Sequence, residues 1–145
     1  MTEEEFTAYT DDFMNYYYGD AGPLLLKYVD TVYGDMLDNT KYNEWMEGHS
    51  YPITPYYRFF RMYDTEGNIT TAYMDKLADI WNEINALDTL TDFQKYHVKC
   101  AAVQFYDVAA NVYQNIYGKT HDSDVLQKLR AYKTKFRAAK EKIGL

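Results

Sequence analysis

The stretch TDFQKYHVKCAAVQFYDVAANVYQNIYG, residues 91–118, decides the fold. Thr91 is followed three residues later by Gln94, the capping-box spacing in which each side chain satisfies the other's backbone N–H at a helix start. Phe93, Tyr96, Cys100, Val103, Val108, Val112 and Ile116 then recur mostly at three- and four-residue steps, the helical period. Gly118 stands where a C-terminal stop is expected. Ala101, Ala102, Ala109 and Ala110 would let other helices approach closely. One long helix with apolar and small-residue faces predicts a helical bundle around it.

The flanking segments read the same way. Downstream, Asp122 or Ser123 caps a further helix. Val125, Leu126, Leu129, Tyr132, Phe136 and Ala139 face inward there, and Lys128, Arg130, Lys133, Lys135, Arg137, Lys140 and Lys142 make that helix basic. Upstream, a helix starts near Thr70 and carries Tyr73, Leu77, Ile80, Trp81, Ile84 and Leu87 at a period near 3.6. The first helix is expected over Thr2–Tyr18. Glu3, Glu4 and Glu5 favour its N-terminal dipole, and Phe6, Tyr9, Phe13, Tyr16 and Tyr17 form one apolar face. Gly19 and Gly22 end it. Pro23 suits the first position of the second helix, which carries Leu25, Tyr28, Val29, Val32 and Met36 and is over by Asn39. Residues 40–67 are irregular, punctuated by Gly48, Pro52, Pro55 and Gly67, with one short helix around Pro55–Tyr63. No segment alternates with period two. The expectation is one all-α domain over residues 1–145: an antiparallel bundle of about five helices with one irregular Tyr/Pro-containing connection.

A chain of 145 residues buries about two-thirds of its unfolded surface, enough to fold without disulfides or metals. The net charge of −7 argues against nucleic acid as the main partner, because phosphates need a basic face. The charge is uneven. Residues 1–118 hold 7 Lys/Arg against 19 Asp/Glu, and residues 119–145 hold 8 against 3. The two parts could attract one another within the fold, the simpler reading, or the basic end could meet an acidic neighbour. Cys100 is the single cysteine, expected as a small core residue. The acidic start MTEEEF is unlike a signal peptide. No apolar run approaches the roughly 20 residues of a membrane span.

Motifs of chemistry are missing. His49, His97 and His121 lack partners at metal-ligand spacing, and there is no HExxH, CxxC, phosphate loop or nucleophile elbow. Asp64–Asn68 reads as a turn rather than a calcium loop. Asp11–Asp12, Asp75–Asp79 and Glu44–Glu47 are carboxylate pairs that solvation explains. Asp107, amid Phe105, Tyr106, Val108 and Ala109, is expected to need a partner such as an Arg or a Tyr hydroxyl, a structural hydrogen bond rather than catalysis. Asn68-Ile69-Thr70 is a glycosylation sequon. No catalytic residue, metal ligand or cofactor is assigned.

The distinctive feature is 17 tyrosines among 145 residues. Tyrosine is flat and rigid with a polar tip, suited to sugar rings and protein partners. Tyr28, Tyr96 and Tyr113 read as core. Tyr18, Tyr51, Tyr56 and Tyr57 are the candidate ligand or partner contacts, since Tyr16, Tyr17 and Tyr18 point three ways and the other three fall in the irregular segment.

The segment FMNYYYGDAGPLLLKYVDTVY, residues 13–33, resembles a stretch near the C-terminal end of a bacterial family catalogued as domain of unknown function 4838. A helix ends in Tyr17-Tyr18-Gly19, a small-residue turn with Pro23 follows, and Lys27-Tyr28-Val29 lies on the next helix. Met74–Leu87, with Trp81, and Tyr96–Tyr106 resemble the family's following helices. Asp20 and Gly22 depart from its usual turn residues. The resemblance implies a helical accessory part of a glycoside-hydrolase-like protein, with the catalytic barrel upstream in the same polypeptide and its carboxylates outside this chain. It also implies glycan contact and, for a secreted parent, an extracellular or cell-envelope location. The alternative is an independent helical protein–protein interaction module.

Overall fold

A computed structural model describes residues 1–37 and 70–144, and every element in them is helical. Helix α1 spans Glu3–Tyr18, a single 3-10 turn spans Gly19–Ala21, and α2 spans Gly22–Leu37. Helix α3 spans Thr71–Asn85, α4 spans Asp92–Thr120 and α5 spans Ser123–Lys142. No strand occurs among the described residues. The short helix expected around Pro55–Tyr63 and the sequon at Asn68 lie outside them.

Each helix whose start has a cap shows a sequence-encoded one. Thr91 Oγ1 accepts the Gln94 N–H at 3.2 Å, and Gln94 Oε1 accepts the Thr91 N–H at 3.0 Å. Thr2 and Glu5 build a second capping box at α1, one that the spacing also encodes. The Thr70 hydroxyl caps α3, and the Asp122 carboxylate caps α5 by accepting from Asp124 and Val125. Two ends differ from expectation. Helix α3 stops at Asn85 rather than Leu87. Helix α4 runs through Gly118 and stops at His121, whose φ of 53° is left-handed and whose N–H reaches the Tyr117 carbonyl at 2.8 Å. A glycine inside a helix costs only about 1 kcal/mol relative to alanine, so the longer helix survives it.

The core is aromatic at its centre. Phe105 of α4 is 1% exposed. Trp81 of α3 stacks on it at 5.5 Å, and Tyr28 of α2 and Tyr132 of α5 meet it edge-on at 5.7 and 5.8 Å. Met74, Leu77, Ile84, Val32 and Val112 fill the space around these rings. Helix α4 packs most extensively on α5, where Tyr113 and Tyr132 stack at 5.5 Å with their planes 11° apart. Burial raises both phenols, Tyr132 to about 12, and each lies near the other or near Asp75 as a further upward influence.

Three sequence readings are corrected, and one face is placed. The aromatic face of α1 is not core: the helix has no buried residue, and Phe6, Tyr9, Phe13 and Tyr16 are exposed. Helical spacing requires only that the face exist; here α4 touches it at Tyr16 and Tyr17 and leaves the four residues exposed. Tyr96 is 49% exposed rather than core, and Val29 of the α2 stripe also faces outward. Asp107 is exposed, with only a long contact of 3.5 Å from the Asn111 amide, so it carries no buried charge.

Replacing Phe105 by alanine is expected to cost about 3–5 kcal/mol in urea unfolding. Tyr9→Ala, on an exposed site, is expected to change stability by no more than about 0.5 kcal/mol. The phenols set an alkaline limit. In the unfolded chain a tyrosine ionises near 10, whereas folded Tyr132 holds its proton to about 12. The unfolded state therefore binds fewer protons between those values, and stability falls as pH rises through that window while being fully present below it. Unfolding midpoints measured from pH 8 upward should decline above about 10, and Tyr132→Phe should flatten the decline.

Candidate functional site

The turn that ends α1 is fixed by sequence chemistry. Gly19 has φ 55° and ψ −133°, a conformation that L side chains avoid. A Cβ there would also lie 2.5 Å from Gln94 Oε1. Gln94 thus packs on the turn while capping α4, and its amide donates to the Asn15 carbonyl at 3.4 Å. The Thr89 hydroxyl donates to the Asp20 carboxylate on the same side. Gly22 is buried and lets α2 begin within contact of the Met14 backbone.

This geometry sets Tyr18 at a groove of about 390 Å³. Met14 and Tyr18 of α1, Leu25, Tyr28 and Tyr33 of α2, Trp81 of α3 and Gln104 of α4 are among its lining residues. Among the described residues the lining includes no carboxylate, histidine, cysteine or cation. The volume lies within the range of small-molecule pockets, roughly 300–1,000 Å³. Tyr18 is half-buried; burial raises its phenol, with smaller upward contributions from Cys100 and Tyr17. It therefore stays protonated at neutral pH, able to donate a hydrogen bond and unsuited to act as a base. The buried indole N–H of Trp81 has no hydrogen-bond partner among the described residues.

A second depression of about 400 Å³ lies beside the turn and includes Asp11, Asn15 and Asp20. Asp12 is not part of it, so the Asp11–Asp12 pair does not converge on one site. Asp75 of the Asp75–Asp79 pair is held by Lys128 at 3.1 Å. Among the described residues no group of three or more His, Cys, Asp or Glu could hold a metal ion, and no helix is long and apolar enough to cross a membrane.

Of the four predicted contact residues, Tyr18 is placed at the groove, and Tyr51, Tyr56 and Tyr57 lie outside the described residues. Sequence reasoning missed the groove's other half. Tyr33, Trp81 and Gln104 come from three separate helices, and only tertiary packing brings them to Tyr18. It also read Phe6, Tyr9, Phe13 and Tyr16 as one apolar helical face without placing that face. All four are exposed, as are Phe93 and Tyr96 of α4, and at the C-terminal end of α1 Tyr16 and Phe93 meet at 5.4 Å and Tyr17 and His97 at 5.0 Å.

Gly19→Ala is expected to destabilise the fold by about 1–3 kcal/mol, combining backbone strain with the Gln94 clash. Gly34→Ala, at a helical site with open space around it, should be neutral or stabilising. Urea titration of both variants checks this.

No protein-family model, curated protein or solved structure matches the chain.

Proposed function

We propose that this chain is a non-catalytic accessory module of a carbohydrate-active, glycoside-hydrolase-like protein. In this reading it is an antiparallel bundle of about five helices that packs on an upstream catalytic barrel of the same polypeptide and contacts glycan at the Tyr18 groove. The observation that carries it is the groove's lining among the described residues: aromatic rings and aliphatic chains, with phenol and amide tips and no ionisable acid–base pair. Rings of this kind stack on the apolar faces of a neutral sugar while the tips reach its hydroxyls. Proton transfer would need a group whose pKa lies near the working pH, and Tyr18, raised by burial, moves away from that range.

The test is binding together with turnover. Titration of neutral oligosaccharides into the chain, with Trp45→Phe leaving Trp81 as the single tryptophan and excitation selective for indole, should shift Trp81 emission. Tyr18→Ala should weaken the effect roughly tenfold, about 1.4 kcal/mol. Hydrolysis of aryl-glycosides by the chain alone would sink the non-catalytic reading, and a flat titration would sink the glycan contact.

The exposed aromatic face of α1 favours a second reading, an independent protein–protein interaction module. Contiguous exposed apolar patches mark interaction surfaces in soluble proteins.

A further inference from the structure

The exposed aromatics of α1 are ordered. Phe6, Tyr9, Phe13 and Tyr16 follow steps of three, four and three, the a/d spacing of a two-helix seam. All four are exposed, Tyr9 at 66% and Tyr16 at 64%. On one flank of the seam, at positions seven residues apart, stand Glu5 and Asp12. The helix holds five carboxylates (Glu3, Glu4, Glu5, Asp11, Asp12) and no Lys or Arg, a net of −5. A face built this way selects a partner helix with cations beside its contact line.

Such a helix exists in the same chain. Helix α5 holds seven cations against Asp124 and Glu141, a net of +5. Arg130, Lys133 and Arg137 recur at helical spacing on its exposed side. Among the described residues the one ion pair of α5 is Lys128 with Asp75, and none joins α1 to α5. The two opposite charges are therefore not spent on each other within one copy. The chain already lays cations on rings: Lys135 sits 5.2 Å over Tyr132, and Lys140 sits 5.2 Å over Phe136.

We infer that α5 of a second copy covers the aromatic seam of α1, giving a two-fold dimer with two equivalent α1–α5 contacts. The spacings match. Glu5 to Asp12 and Arg130 to Arg137 are both seven residues, about 10 Å along a helix, so both charge pairs form in one register. The arginine stems cover the rings and their guanidinium groups reach the flanking carboxylates. Pairing α1 with α1 of the second copy would instead bring two uncompensated acidic flanks together, which costs rather than contributes. A two-fold axis repeats the contact without an open end, so assembly stops at two copies. The inference does not depend on the Tyr18 groove.

Sedimentation velocity of the full chain from micromolar to submillimolar concentration tests this. A monomer–dimer equilibrium that weakens with added salt is expected. Asp12→Lys alone, and Arg130→Glu with Arg137→Glu, should each weaken the dimer roughly tenfold or more, with far-UV circular dichroism unchanged because the sites are exposed. An equimolar mixture of the two variants should regain more dimer than either variant alone, since the unchanged α1 of one meets the unchanged α5 of the other and Lys at position 12 meets a glutamate. A monomer at every concentration overturns the inference. So does a dimer that ignores both reversals, or a mixture of folded variants that stays monomeric.

Discussion

Phe105 is the contact on which the rest of this structure depends. It lies near the middle of the longest helix and touches an aromatic ring from each of α2, α3 and α5. Aromatic pairs in offset or edge-on geometry contribute about 0.5–1.5 kcal/mol beyond the area they bury, so one residue ties three helices to a fourth with directional contacts. The arrangement also accounts for the buried tyrosines Tyr28, Tyr113 and Tyr132. A leucine core would serve the interior equally well, but a ring that spans from the centre to the edge of a narrow bundle needs a polar tip at its outer end. Tyr113 and Tyr132 show the cost: stacked and buried between α4 and α5, they hold phenols that resist ionisation.

Gln94 adds a second tie of a different kind. A capping box is a local device, closed within four residues of one helix start. Here the same side chain also packs on Gly19 and donates to the end of α1. The start of α4 and the end of α1 are thereby fixed by one amide, and the position of Tyr18 follows from them. A Glu in place of Gln94 would keep the capping acceptor and lose the donor to Asn15, so the amide is chosen for the tertiary contact.

Much of the fold was legible where a signal is closed within a few residues or one helical face. The caps at Thr91 and Asp122 and the stripe Leu77, Ile80, Trp81, Ile84 read correctly because their physical causes are local. Helix α1 itself also read correctly, but the setting of its apolar face did not follow from its spacing. Its period-3.6 stripe is as clear as that of α3, yet periodicity encodes the existence of a face and not what covers it. Tyr96 failed in the same way. Asp107 misled because its sequence neighbours are apolar, while on a helix adjacent residues point about 100° apart. The groove was half legible: Tyr18 stood out at the end of a helix, but Tyr33, Trp81 and Gln104 join it only through packing.

The chain distributes its stability unevenly, and that bears on how it can work. Helix α5 is anchored by Val125, Leu129 and Tyr132 and lies along α4. Helix α1 buries no residue and is held by its own cap, by Gln94 and by ring contacts near its C-terminal end. An isolated helix of its 16 residues is marginal in water, so its first turns belong to the part of the fold that opens at least free-energy cost. Anything that covers the aromatic seam therefore supplies burial that the chain itself does not, and stabilises α1 by mass action as it binds. Among the described helices, α1 is the one that buries no residue of its own and so has most to gain from a partner. That coupling, rather than any reactive group, is the physical basis for reading this molecule as a module that functions through contact.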